Sequence, residues 1–165
     1  MELLKENLIP WSISNGLALV ILVTSFRWTK LTRLLLFMVF AWACWLNYNT
    51  AHKTPDDYLI YATFTPFEVY NNFIVHWFKS NIVPTVTLIS IGQGVIALGI
   101  TLKGLAVQTA CVGAILFFIV IAPLGVGSGF PATLIAAAAT FLILKKDNLD
   151  YLWHFKKNDG KHQKM

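Results

Sequence analysis

An all-α bundle of membrane-crossing helices is the fold class this sequence predicts, and three observations predict it. Asp, Glu, Lys and Arg are absent from residues 7–26, 34–52, 80–102 and 104–144, and a bilayer core takes about 20 mostly apolar residues per helix. The chain is 56% hydrophobic and only 13% charged, where soluble domains carry roughly 25% charged residues. The cations also sit beside the apolar runs rather than in a domain of their own. A net charge of +5 therefore reads as membrane orientation, and nucleic acid is not an expected partner. The lipid bilayer is.

The first span runs from about Ile9 to Phe26, with Trp11 at its outer edge, and stops at Arg27-Trp28-Thr29-Lys30-Leu31-Thr32-Arg33. The N-terminal Met-Glu-Leu-Leu-Lys-Glu-Asn lacks the positive n-region of a signal peptide, so this span is expected to be retained. The second covers about Leu34 to Leu46 and extends to Tyr48 if Trp42, Trp45 and Tyr48 form an interfacial belt. The third runs from Val83 to Leu102, with Pro84 in its first turn, where a missing N–H costs least. The fourth covers Gly104 to Leu124. The fifth, Pro131 to Leu144, is the shortest at ~21 Å, and four crossings are the alternative count.

Five crossings agree with the positive-inside rule when the N-terminus lies outside. The cytoplasmic side then holds Arg27, Lys30, Arg33, Lys103, Lys145, Lys146, Lys156, Lys157, Lys161 and Lys164; the outside holds Lys5, Lys53 and Lys79. Residues 1–147 form one transmembrane domain, and 148–165 form a basic cytoplasmic tail whose aromatics and lysines at 151–157 suit an anionic lipid surface. The expected location is the inner membrane.

Residues 47–81 read as an external helical cap. Thr54-Pro55-Asp56-Asp57 and Thr65-Pro66-Phe67-Glu68 each carry helix-start signals: a threonine N-cap, proline in the first turn, then acids at the positive helix end. Thr65 and Glu68 stand at capping-box spacing. Two short interfacial helices are predicted, about 55–64 and 66–78. Gly92, Gly94, Gly99, Gly113 and Ala136 to Ala139 are the small residues that let helices approach closely. Gly-Val-Gly-Ser-Gly at 125–129 follows an apolar helix and no strand, so it reads as a tight turn, not a dinucleotide fingerprint.

Four polar residues are candidates for function. Glu68 lies among aromatics; turned inward it is a proton site, and left in water it is a helix cap. His76 and His52 lie near the same end, and a Glu68/His52/His76 cluster is conceivable. Gln93 falls near the middle of the third span, where an amide must find a partner; Asn15 and Gln108 are possible ones, and helix–helix glue outweighs substrate contact. Cys44 and Cys111 lack metal-ligand spacing and read as buried small residues. No metal site and no cofactor is assigned.

Three stretches together resemble the DoxX-like group of small bacterial membrane proteins, which includes the DoxD subunit of thiosulfate:quinone oxidoreductase and a reactive-chlorine-resistance branch. They are Phe64-Thr65-Pro66-Phe67-Glu68, Ile91-Gly92-Gln93-Gly94-Val95-Ile96-Ala97-Leu98-Gly99, and Gly129-Phe130-Pro131 leading to Leu142-Ile143-Leu144-Lys145-Lys146-Asp147. Gln93 stands where many relatives carry Glu, and the first span and residues 47–63 are additions to the four-helix core. The resemblance implies a four-helix bundle plus an N-terminal helix, working near quinone or sulfur redox chemistry. The expected role is a non-catalytic accessory subunit with a membrane-protein partner or a second copy of itself. A quinone-linked oxidoreductase subunit and a proton-coupled small-solute transporter are the alternatives.

Overall fold

The computed structural model describes residues 7–153, which contain helices and turns and no strand. Its α-helices are α1 (Leu8–Arg27), α2 (Thr29–Lys53), α3 (Tyr61–Phe64), α4 (Glu68–Phe73), α5 (Ile82–Thr101), α6 (Leu105–Ile121) and α7 (Ala132–Lys146). Four helical runs are long and apolar enough to cross a membrane: Leu8–Arg27, Thr29–Lys53, Glu68–Thr101 and Leu105–Ser128. α7 has 15 residues and rises ~22 Å, short of a full crossing by length alone.

The long helices close into a ring. α1 packs on α2, α2 on α5, α5 on α6, α6 on α7, and α7 back on α1. α7 fits this place because its side chains are small: Ala132, Thr133, Ala136, Ala137, Ala139 and Thr140 are all buried, with Ile143 at its far end. Small residues let neighbouring backbones come close and gain dispersion contacts, which is what holds helices together where apolar burial from water is no longer available. α5 and α6 approach in the same way, since a Cβ at Gly99 would stand 2.7 Å from the Ala110 Cβ. Phe40 fills the centre, its ring 5.8 Å from Phe117 and 5.2 Å from Phe118.

The cationic segment 27–33 is not the loop its charges suggest. Only Trp28 leaves helical geometry (φ −126°, ψ 62°), and α2 starts at Thr29 and runs for 25 residues. Nothing between Thr29 and Lys53 breaks a helix, because Gly and Pro are absent there. Arg33 is thereby carried into the helix body.

The helical signals between 54 and 78 are also realised differently from the prediction. Pro55–Ile60 is a 3-10 turn and only Tyr61–Phe64 is α-helical. Thr54 spends its hydroxyl on the Asp57 carboxylate instead of on a backbone N–H. The second helix begins at Glu68, with Phe67 rather than Thr65 at the N-cap, so no capping box forms. The Thr65 hydroxyl instead donates to the Pro123 carbonyl at 2.7 Å and accepts from the Phe67 N–H at 3.3 Å. It ties this segment to the turn after α6. α4 continues through a π turn, Ile74–Phe78, and a 3-10 turn, Lys79–Asn81, into α5. The only break is at Asn81 (φ −133°, ψ 25°). Buried Ile74 and the Phe78 ring, edge-on to Tyr58 at 6.4 Å, hold the run against the bundle.

Glycines explain why the turn 125–129 has its composition. Gly125 adopts φ 67°, ψ −135°, a region that side chains exclude. A Cβ there would stand 2.5 Å from the Phe64 carbonyl oxygen, and one at Gly127 would stand 2.6 Å from the Tyr61 and Phe64 rings. α3 lies directly on this turn.

Helix order thus places residues 54–81 and 122–131 at one end of the bundle, the cap end. The segments 27–33, 101–104 and 147–153 meet at the other.

Candidate functional site

Two groups of polar residues penetrate the apolar bundle, one at each end. At the cap end a cleft of about 400 Å³ opens between α1, α2, the 55–64 segment and the turn after α6. Trp11, Trp42, Tyr58, Tyr61 and Phe64 supply aromatic walls; Ser14, Asn47, Thr50, Asp57 and Ser128 supply polar atoms. From its floor a hydrogen-bonded chain leads into the bundle. The Tyr58 hydroxyl donates to the Asn47 side-chain oxygen at 2.9 Å, and the Asn47 amide donates to the Gln93 oxygen at 2.9 Å. Gln93 is 2% exposed.

Gln93 therefore does find a partner, on α2 and not on α1 or α6. Asn15 donates to the Trp11 and Gly129 carbonyls, and Gln108 faces outward. The periodicity of one helix cannot tell which neighbour an amide will meet; α5 packs along α2 for most of its length, and that decides it.

Burial pushes the Tyr58 phenol up from 10.0 to about 12; Tyr61 adds to the rise, a Thr50 hydrogen bond opposes it, and Asp57 adds a little more. A raised phenol means that the fold favours neutral Tyr58. Its contribution is whole below the unfolded pKa, about pH 10, and is lost as pH climbs towards 12. Alkaline unfolding followed by circular dichroism should steepen across that window, and Tyr58→Phe should flatten it.

The other three candidate residues are peripheral. Glu68 is exposed in the first turn of α4. His76 is exposed in the π turn. His52 is exposed at the end of α2, where its Nδ1 meets the Tyr48 carbonyl at 2.8 Å and its ring lies over that of Tyr48. No hydrogen bond or ion pair joins the three to one another, and among the described residues no three His, Cys, Asp or Glu converge on a metal-sized site.

The opposite end holds the group that sequence reasoning missed. Arg33 is 0% exposed and forms an ion pair at 2.9 Å with Asp147, whose side chain is also 0% exposed. Its Nε and one Nη donate to the Ile100 carbonyl at 2.9 and 2.8 Å, and that same Nη reaches the Leu102 carbonyl at 2.7 Å. The other Nη reaches the Asp150 carbonyl at 2.7 Å. One guanidinium thus gathers the ends of α5 and α7 and the chain beyond. The planar fork of arginine suits this, whereas a lysine is a single point of charge. Asp147 Oδ1 also accepts from the Leu149 N–H at 2.7 Å. Residues 148–152 fold back onto the α5–α6 turn, with the Gly104 N–H on the Leu149 carbonyl and the Leu152 N–H on the Thr101 carbonyl. The first part of the expected cytoplasmic tail is therefore docked; residues 154–165 lie outside the described residues. The sequence marks each of the two as flanking a charge-free run, Arg33 just before 34–52 and Asp147 just after 104–144 and the two lysines that follow it, but nothing in it pairs them.

Compared with known proteins, the chain matches no family model, no curated protein and no solved structure.

Proposed function

We propose that this chain is a multi-pass inner-membrane protein, N-terminus outside and C-terminus cytoplasmic, that serves as a non-catalytic accessory subunit of a membrane complex. The observation that carries the reading is the use made of the buried polar groups. Arg33, Asp147, Asn47 and Gln93 bind one another or helix-end carbonyls, so among the described residues these polar groups act as ties between helices. Four apolar helical runs long enough to cross a bilayer support the membrane setting. Charge supports the orientation: Arg27, Lys30, Arg33, Lys103, Lys145 and Lys146 share one end, where the positive-inside rule puts the cytoplasm. α7 would then complete a fifth crossing with the help of its flanks, and α3 and α4 would form the external cap.

A membrane partner or a second copy is favoured by Gly16 and Gly92. Both are exposed, with open space where a Cβ would stand, and such positions admit a neighbouring helix. The link to redox chemistry rests on the DoxX-like resemblance at 64–68, 91–99 and 129–147. A proton-coupled transporter would need an inward carboxylate not tied up in structure; Glu68 is exposed, and the buried side chain of Asp147 is held in the ion pair with Arg33.

Purification from native membranes in mild detergent tests the role. A stoichiometric membrane-protein partner is the expected result; the chain running alone with quinone absorbance would replace this reading with the redox one. Single-cysteine labelling tests orientation. Lys53→Cys should react from outside and Gly160→Cys only from the cytoplasm, and labelling of both from one face would overturn the topology.

A further inference from the structure

We propose that the cap-end cleft binds a small organic cation, its ammonium group seated against aromatic rings and the Asp57 carboxylate. The inference rests on the proposed topology only in placing this cleft on the outer, aqueous side. Its chemistry comes from the lining.

Hydrogen-bond polarity is the first argument. Four side-chain donors along the cleft are already committed to the protein: the Trp11 indole N–H to the Phe130 carbonyl, the Ser14 hydroxyl to the Pro10 carbonyl, the Ser128 hydroxyl to the Gly125 carbonyl, and the Tyr58 hydroxyl to Asn47. Each hydroxyl oxygen that has donated its proton still offers lone pairs. These four groups face the cleft as acceptors or not at all, which suits a ligand that brings its own donors or positive charge.

Charge is the second argument. Among the described lining residues Asp57 is the only ionisable acid or base apart from the two tyrosines, and Lys, Arg and His are absent. The Thr54 hydroxyl engages one Asp57 oxygen and orients the carboxylate. An anion would meet the Asp57 charge here with no compensating cation among the described lining residues.

Aromatic surface is the third. Cations are attracted to the faces of tryptophan and tyrosine rings, and quaternary ammonium groups are recognised in this way. Trp11, Trp42, Tyr58 and Tyr61 all border the cleft. A free amine and the choline headgroup of a lipid share this chemistry.

Saturation-transfer NMR on the choline methyl signal, with full-length protein purified in detergent, tests the site. Choline and tetramethylammonium should bind and compete, and dimethylbutanol, the neutral isostere of choline, should not. Asp57→Asn, which keeps the Thr54 hydrogen bond, and Trp42→Leu should each weaken choline binding by about fivefold or more with unchanged elution volume. Equal binding of dimethylbutanol, undiminished binding by Asp57→Asn, or no choline signal on monodisperse protein would overturn the proposal. Nanodiscs separate the two sources. Loss of the free-choline signal when phosphatidylcholine replaces phosphatidylglycerol assigns the site to a lipid headgroup; an unchanged signal assigns it to a soluble cation. Either supports the ammonium site. Because binding is read on purified protein, it stands or falls separately from recovery of a partner subunit.

Discussion

Arg33→Met should be among the most damaging single substitutions in this protein, costing about 3–5 kcal/mol. The guanidinium serves the carbonyls of Ile100, Leu102 and Asp150 as well as Asp147, and removing it strands a buried carboxylate along with those carbonyls. Thermal unfolding in detergent, read as the loss of a monodisperse elution peak, should show a large drop in midpoint. Arg33→Lys should rescue only part, because one ammonium cannot span carbonyls on both α5 and the chain after α7. The decisive comparison is the pair Arg33→Met with Asp147→Leu. It should be more stable than Arg33→Met alone, since no uncompensated charge remains. A pair as unstable as the single variant would mean that the carbonyl contacts, not the ion pair, carry the effect.

Gly125→Ala should cost at least about 3 kcal/mol, because two penalties coincide. The backbone sits at φ 67°, ψ −135°, which only glycine occupies without strain. The added methyl would also lie 2.5 Å from the Phe64 carbonyl oxygen, and backbone cannot step aside as a side-chain tip can. Relief requires the 61–64 helix to lift off the turn. That motion would break the Thr65–Pro123 hydrogen bond and open the cleft. Limited proteolysis should then cut between residues 54 and 66 in the variant and spare the parent. Gly16→Ala is the control: open space surrounds Gly16, so it should be neutral on the isolated chain.

The sequence by itself determined the apolar, all-helical character of the chain and most helix boundaries; it suggests five crossings, and four helical runs are long and apolar enough to span a bilayer. Absence of charge and apolar length act locally, so α1, α5, α6 and α7 lie within a few residues of where composition places them. Small residues likewise announced close packing, as Gly99 against Ala110 bears out. Tertiary structure decided which polar groups meet. Arg33 looked like one more cation in a flank because burial of a charge depends on partners 67 to 117 residues away. Gln93 needed a partner on any reading, but Asn47 was chosen by the packing of α5 on α2. Thr65 carried the signals of an N-cap, yet the Pro123 carbonyl, brought beside it by the turn after α6, took its hydroxyl. Local propensity offers a hydroxyl or an amide several satisfactory bonds of similar strength. The fold chooses among them by which carbonyl arrives within 3 Å, and that information lies in the packing of helices rather than in any one of them.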